Sequence, residues 1–240
     1  MISRIVLPVL VSCSLKAFAG DAAELDFIGF SEDGGYCAYS ESGTQDGSGF
    51  PYCSIRAVRT AGAVLEGSVD IVLDDFEGEA VVADPVRTAM RTAKSFLFAL
   101  GVRPGEEGFH ALHHPLSDLG VSPDTVLFST MNAPEPWGGS YRIVLEAEAT
   151  EDSSLMADWG IEPATAELWL EDTWSGARAP LALEPLRPGR ERYTWAYRIN
   201  DVYVMNDDVV VVLVCAFSLG FEGSDVRFVS ACGRLSQLEK

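Results

Sequence analysis

The run Val209-Val210-Val211-Val212-Leu213-Val214 constrains this chain more than any other segment. β-Branched residues lose side-chain freedom in a helix and pack well on a pleated surface, so the run reads as a strand. Successive side chains along a strand point to opposite faces of the sheet. Here both faces are apolar, so both must be covered. The run is therefore a central strand with further structure packed above and below it.

Other segments supply the neighbours. Leu25 to Phe30, Tyr36 to Ser40 and Tyr52 to Val58 are short strands punctuated by Gly and Asp turns. Tyr141 to Ala149 alternates between apolar and polar, as does Ala166 to Glu171. Tyr193, Trp195, Tyr197 and Ile199 are expected to share one face, with turns at Asn200-Asp201 and Asn206-Asp207. One helix stands out: Asp84 suits the N-cap, Pro85 the first helical position and Gly101 the C-terminal cap. Val86, Ala89, Met90, Ala93, Leu97 and Leu100 recur at helical spacing and form its apolar face. The expected fold is mainly β, a twisted antiparallel sheet or sandwich-like arrangement with one packed helix, in a single domain; the alternative is α+β.

The amino terminus reads as an export leader. Arg4 supplies the positive charge, Ile5 to Val11 the apolar run, and Ala17-Phe18-Ala19 a small-x-small cleavage site. The apolar run is well short of the ~18 residues a spanning helix needs. Leu10-Val11-Ser12-Cys13 offers a second reading, a lipoprotein anchored through Cys13. Residues 1–19 are thus read as a signal peptide and 20–240 as the secreted domain. Removing Arg4 and Lys16 with the leader takes the formal charge from −19 to −21. Nucleic-acid binding needs a basic stripe, and anionic lipid would repel such a surface. The implied partner is an envelope component, protein or carbohydrate, and the chain is not read as an integral membrane protein.

Cys37, Cys53, Cys215 and Cys232 remain after the leader, an even number in an oxidising compartment. A two-residue turn at Gly223-Ser224 would pair Cys215 with Cys232 across a hairpin, at a site where Cα atoms approach to about 4.5 Å. Cys37 and Cys53 flank a Gly/Ser loop and are expected to pair in the same way. C-x-x-C is absent, so no thioredoxin-like motif is present.

Catalytic motifs are weak. All three histidines, His110, His113 and His114, fall together. Adjacent His113 and His114 diverge on any regular element, and no metal-ligand spacing accompanies them, so no metal centre and no cofactor is expected. Gly47-Ser48-Gly49 is a turn rather than the G-x-S-x-G of a hydrolase. Glu171-Asp172 and Asp207-Asp208 read as solvated turn acids. Asp33, Asp46, Glu222 and Asp225 lie in glycine-rich turns that could hold calcium. Trp137, Trp169 and Trp174 lie near loops or on a polar strand face, where amphipathic rings serve partner contact.

Two segments near the ends carry a resemblance. Gly29-Phe30-Ser31-Glu32-Asp33-Gly34-Gly35-Tyr36 runs on to Asp46-Gly47-Ser48-Gly49-Phe50-Pro51-Tyr52, and Gly220-Phe221-Glu222-Gly223-Ser224-Asp225 precedes Gly233-Arg234-Leu235. Behind an export leader, they resemble a bacterial family of predicted secreted proteins, domain of unknown function 2259. The resemblance implies export and a shared fold; it transfers no catalytic residue. The four cysteines stand outside the family pattern. The first segment also looks like one TolB-type propeller blade, but one blade cannot close a propeller. The reading is a non-catalytic binding or envelope-associated module that uses Trp137, Trp169, Trp174 and the Asp46–Tyr52 and Gly220–Asp225 loops. The alternatives are an envelope hydrolase with His113 or His114 as base, and a calcium-binding extracytoplasmic protein.

Overall fold

The structure, a computed structural model, describes residues 20–74, 84–118, 124–130, 140–150, 157–190, 193–221 and 223–239. In chain order the elements are β1 (Glu24–Phe30), β2 (Tyr36–Thr44), β3 (Pro51–Arg59), β4 (Val64–Val72), α1 (Pro85–Ala99), β5 (Phe109–His113), β6 (Thr125–Ser129), β7 (Ser140–Ala149), β8 (Ala164–Asp172), β9 (Arg178–Leu183), β10 (Thr194–Met205), β11 (Val209–Leu219) and β12 (Ser224–Arg234). One sheet runs β1-β2-β3-β4 and the other β5-β10-β11-β12-β9-β8-β7-β6. Neighbouring strands pair antiparallel in both. The domain is mainly β with one packed helix, as the sequence pattern indicates.

β11 has both faces covered. Val210, Val212, Val214 and Ala216 face a core that also holds Ile143, Leu168 and Leu170, so the large sheet curls β6–β9 back over β10–β12. Val209, Val211, Leu213 and Cys215 face the opposite way, onto Phe27, Phe30, Tyr39 and Val58 of the small sheet. The far side of the small sheet receives α1, whose Ala89, Ala93 and Leu97 pack on Ile28, Ile55 and Ala57. The Asp84 carboxylate accepts hydrogen bonds from the Val86 and Arg87 N–H groups, and Gly101 adopts φ +71° past the helix end.

A buried polar network joins the two sheets. Glu184, just past β9, accepts hydrogen bonds from Arg56 Nε at 2.8 Å, Tyr39 Oη at 2.9 Å and Ser230 Oγ at 2.9 Å. Asp21 pairs with Arg227 and accepts a hydrogen bond from Tyr52 Oη at 3.0 Å. Glu41 accepts one from the Phe228 N–H at 2.7 Å. Burial pushes the Glu41 carboxyl up from its ordinary range, against the pull of Arg187.

Three sequence expectations are corrected. The β11–β12 hairpin does not turn at Gly223-Ser224: Leu219 pairs with Ser224, and Gly220 N–H donates to Gly223 C=O at 2.8 Å. This longer loop moves the register, so Cys215 faces Phe228 and Cys232 faces Val211. Between β2 and β3, Cys37 faces Val58 and Cys53 faces Ser42. Cys37 points to the inter-sheet core and Cys53 to the helix side, so they lie on opposite faces of one sheet. All four cysteines are buried thiols. The Cys232 thiol beside it, together with burial, pushes the Cys37 thiol well above the usual range. Finally, Asn200-Asp201 is not a turn but a buried part of β10, whereas Asn206-Asp207 does turn, with φ of +54° and +52°.

Three outcomes follow from this packing. Glu184→Ala leaves Arg56 charged and unpaired in the core and should cost about 3–5 kcal/mol in denaturant unfolding. Glu41 holds its proton more tightly folded than unfolded, so ionising it costs stability as pH rises through the folded pKa. The stability of Glu41→Gln relative to the parent should therefore decline as pH is lowered from 7.5 toward the ordinary glutamate range, about 4.3, in paired urea titrations. Peptide mapping without reductant should find neither a Cys37–Cys53 nor a Cys215–Cys232 bond.

Candidate functional site

β10 carries two bulges, and each redirects a side chain. Thr194 pairs with Ser218 and Ala196 with Phe217, so Trp195 is an extra residue. Ile199 pairs with Val214 and Asp201 with Leu213, so Asn200 is another. An inserted residue bends a strand and flips the facing of everything beyond it. Tyr197 and Ile199 point into the curled core, as their alternation indicates, while Trp195 does not join them and is 39% exposed.

Trp195 borders a cleft of about 890 Å³ with Trp159, Ile161, Glu162 and Phe221. Trp159 is 63% exposed and Phe221 80%. These rings come from three places in the chain: the segment before β8, the first bulge of β10, and the β11–β12 loop. Phe221 also ties the two loops singled out in the sequence. Gly47 has φ +83°, and a Cβ there would sit 3.3 Å from the Phe221 ring. Gly47 thus permits both the turn and the close approach. A larger groove of about 1030 Å³ runs along α1 beside Met90, Phe98 and Val102. It borders one helix, and Phe98 is the aromatic side chain among its lining residues.

The second β10 bulge builds a different feature. Asp201 lies opposite His113 on the edge strand β5, and Tyr203 opposite His110. Val202 pairs with Leu112, so Ala111 is an extra residue on β5. Residues three apart on a regular strand face opposite ways; the Ala111 bulge brings His110 and His113 to one face. His110 Nε2 and His113 Nδ1 each lie 2.7 Å from Asp201 Oδ1. Asn200 Nδ2 donates to Asp201 Oδ2 at 2.5 Å, and the Cys215 thiol lies 3.5 Å from Asn200 Oδ1. The His110 ring stacks on Tyr203 at 4.3 Å, and Tyr203 stacks on Phe27 of the small sheet at 4.0 Å. Burial and the Asp201 charge push the Tyr203 phenol well above its ordinary range.

The remaining sequence candidates are scattered. Trp169 lies under Arg178, whose guanidinium sits 4.2 Å from the ring centroid. Trp174 is 84% exposed at the other end of β8 from the cleft. Trp137, Glu222 and Cys13 lie outside the described residues, as does the leader. Asp33 binds the Ser31 hydroxyl and the Gly35 N–H within its own turn, whereas Asp225 meets the Asp21 N–H and Arg190. Among the described residues neither joins Asp46 in a grouping of metal-type ligand atoms. Glu171 is paired with Arg142 and Arg178, and Asp208 with Arg234, so neither acid is a free turn carboxylate. The Asp208 carboxyl is held below its ordinary range: partial burial opposes this, and the Ser236 N–H and Arg234 outweigh it.

The chain matches the model of a family described as predicted secreted protein, domain of unknown function 2259, over residues 38–234. It belongs to that family. No curated protein matches the sequence. The family description is consistent with a secreted or extracytoplasmic protein. No helix among the described residues is long and apolar enough to cross a membrane. Both the aromatic cleft and the His110–Asp201–His113 group fall within the matched segment.

The Gly220–Asp225 loop singled out in the sequence lines the aromatic cleft through Gly220, Phe221, Gly223 and Ser224, whereas Trp169 and Trp174 do not border it. Alternation alone puts Trp195 on one face with Tyr197 and Ile199, and the bulge at Trp195 breaks that alternation. Asp201 was missed because Asn-Asp is a strong turn signal. Its buried position in a strand depends on the bulge at Asn200 and on the two imidazoles that meet it.

Proposed function

We propose that this protein is an exported, non-catalytic binding module whose ligand lies in the cleft between Trp159, Trp195 and Phe221. The observation that carries the reading is the convergence of three partly exposed rings, from three separate chain segments, on one concavity. Isolated exposed rings are ordinary; a cluster of them beside a polar group is the pattern of a recognition surface. The rings offer flat apolar faces, and Glu162 and the glycine backbone at Gly160, Gly220 and Gly223 offer polar contacts at the rim.

That combination suits a sugar, whose C–H faces stack on indoles while its hydroxyls take up hydrogen bonds. A formal charge of −19 disfavours a polyanionic ligand. The ligand class is therefore a neutral or cationic envelope glycan. A hydrolase with His113 as base finds one half of its geometry in the Asp201 contact. Among the described hydrogen bonds, no serine hydroxyl meets either His110 or His113. No specific observation favours calcium.

Titrating neutral and amino-sugar oligosaccharides against intrinsic tryptophan fluorescence should reveal saturable binding. Trp195→Ala and Trp159→Ala should each weaken it about fivefold to tenfold, with unfolding midpoints close to the parent. Absence of glycan binding, or binding that both variants retain, would remove the glycan assignment; protection of the cleft by an envelope peptide instead would keep the surface and change the ligand class.

A further inference from the structure

We propose that His110 Nε2, His113 Nδ1 and Asp201 Oδ1 form a three-ligand site for a divalent transition metal of the zinc class. The three ligand atoms lie within 4.8 Å of one another, and the two nitrogens share a single carboxylate oxygen at 2.7 Å. A tetrahedral zinc bound at 2.0–2.1 Å separates its ligand atoms by about 3.3 Å. Seating the ion therefore asks each imidazole nitrogen to move about half an ångström away from Asp201 Oδ1, and the two nitrogens, which lie within 4.8 Å of each other, to settle at the same spacing of about 3.3 Å. His110 and His113 are partly exposed, so that movement and the entry path are open on the solvent side, while Asp201 is anchored in the sheet.

The surroundings match what a metal site requires beyond its ligands. A bound carboxylate is normally oriented by a hydrogen bond to its other oxygen, and Asn200 supplies it at Oδ2. Asn200 is itself buried and is the extra residue of the β10 bulge, so the same irregularity that turns Asp201 toward the histidines also places its partner. The stack of Phe27, Tyr203 and His110 sets the plane of one imidazole. The Arg198 guanidinium donates to the carbonyls of Pro115, Leu116 and Asp118, which holds the chain leaving β5 just after His113.

Two bulges, Asn200 in the β10–β11 ladder and Ala111 in the β5–β10 ladder, converge on Asp201 and its two histidines and favour a site over chance. Regular pairing would put His110 and His113 on opposite faces, and each bulge interrupts a ladder of hydrogen bonds. The ligand set decides the class of ion. Two imidazoles and one carboxylate are borderline ligands suited to zinc and its first-row neighbours, whereas calcium and magnesium favour oxygen-only shells. Three protein ligands leave a fourth tetrahedral position for water or a ligand atom. His114 does not belong to this group and serves as the internal control.

The test uses the full secreted domain, stripped with chelator and titrated with Zn²⁺, Co²⁺ and Ca²⁺. Expected are one Zn²⁺ per chain, the visible absorption of tetrahedral Co²⁺ displaced by Zn²⁺, and no response to Ca²⁺. At a hundredfold excess over Kd, Zn²⁺ should raise the Tm by about 5–10 °C. His113→Ala and His110→Ala should lower Zn²⁺ affinity at least tenfold and abolish the Zn²⁺-induced Tm shift, each read against the variant's own metal-free Tm. His114→Ala should retain both. Asp201→Asn adds a check, because it keeps the shape of the side chain and should lose the Co²⁺ spectrum. Failure to bind stoichiometric Zn²⁺, or binding that survives His110→Ala and His113→Ala, or binding lost in His114→Ala alone, would overturn the assignment.

Discussion

A carboxylate removed from water must be met by charge and hydrogen bonds, or it is driven to take up a proton. Glu184 is met from both sheets at once: Arg56 and Tyr39 reach it from the small sheet and Ser230 from the large one. Apolar packing alone is tolerant of sliding, since one valine-covered face resembles another. The Glu184 network is not tolerant, because a displaced sheet would leave a buried guanidinium and a buried carboxylate unpaired. Arg227 with Asp21 repeats the device nearer the amino terminus of the domain. The relative placement of the two sheets, and hence of everything that spans them, depends on these pairs.

One consequence is visible at the metal-type group. Phe27 belongs to the small sheet and Tyr203 to the large one, and their stack continues to His110. A shift of one sheet over the other would therefore turn the imidazole. β10 connects this region with the aromatic cleft, since its first bulge aims Trp195 and its second aims Asp201. The two features share a strand but use different chemistry, stacking surfaces in one case and Lewis-base atoms in the other.

The loops that carry the family resemblance meet at one end of the domain, where Phe221 lies against Gly47. The glycines of the first loop are explained by backbone geometry, for Gly47 and Gly49 both have positive φ. Phe221 then places an aromatic ring at the mouth of the cleft. A backbone requirement and a binding surface thus occupy the same few residues.

Composition and periodicity by themselves determined the mainly β class, the doubly covered strand at Val209–Leu219, and the capped helix with Ala89, Ala93 and Leu97 inward. Each of these follows from local propensity or from the two- or 3.6-residue repeat, which a linear sequence displays directly. Tertiary structure alone decided the hairpin registers, the state of the cysteines, the ring cluster and the His110–Asp201–His113 group. The cause is the same in each case. A single extra residue, or a loop longer than the tightest turn, changes which side chains face one another without altering hydrophobic pattern. Asn200-Asp201 reads locally as a turn, and only the strands paired on either side of it, with two imidazoles waiting on one of them, hold it in a sheet.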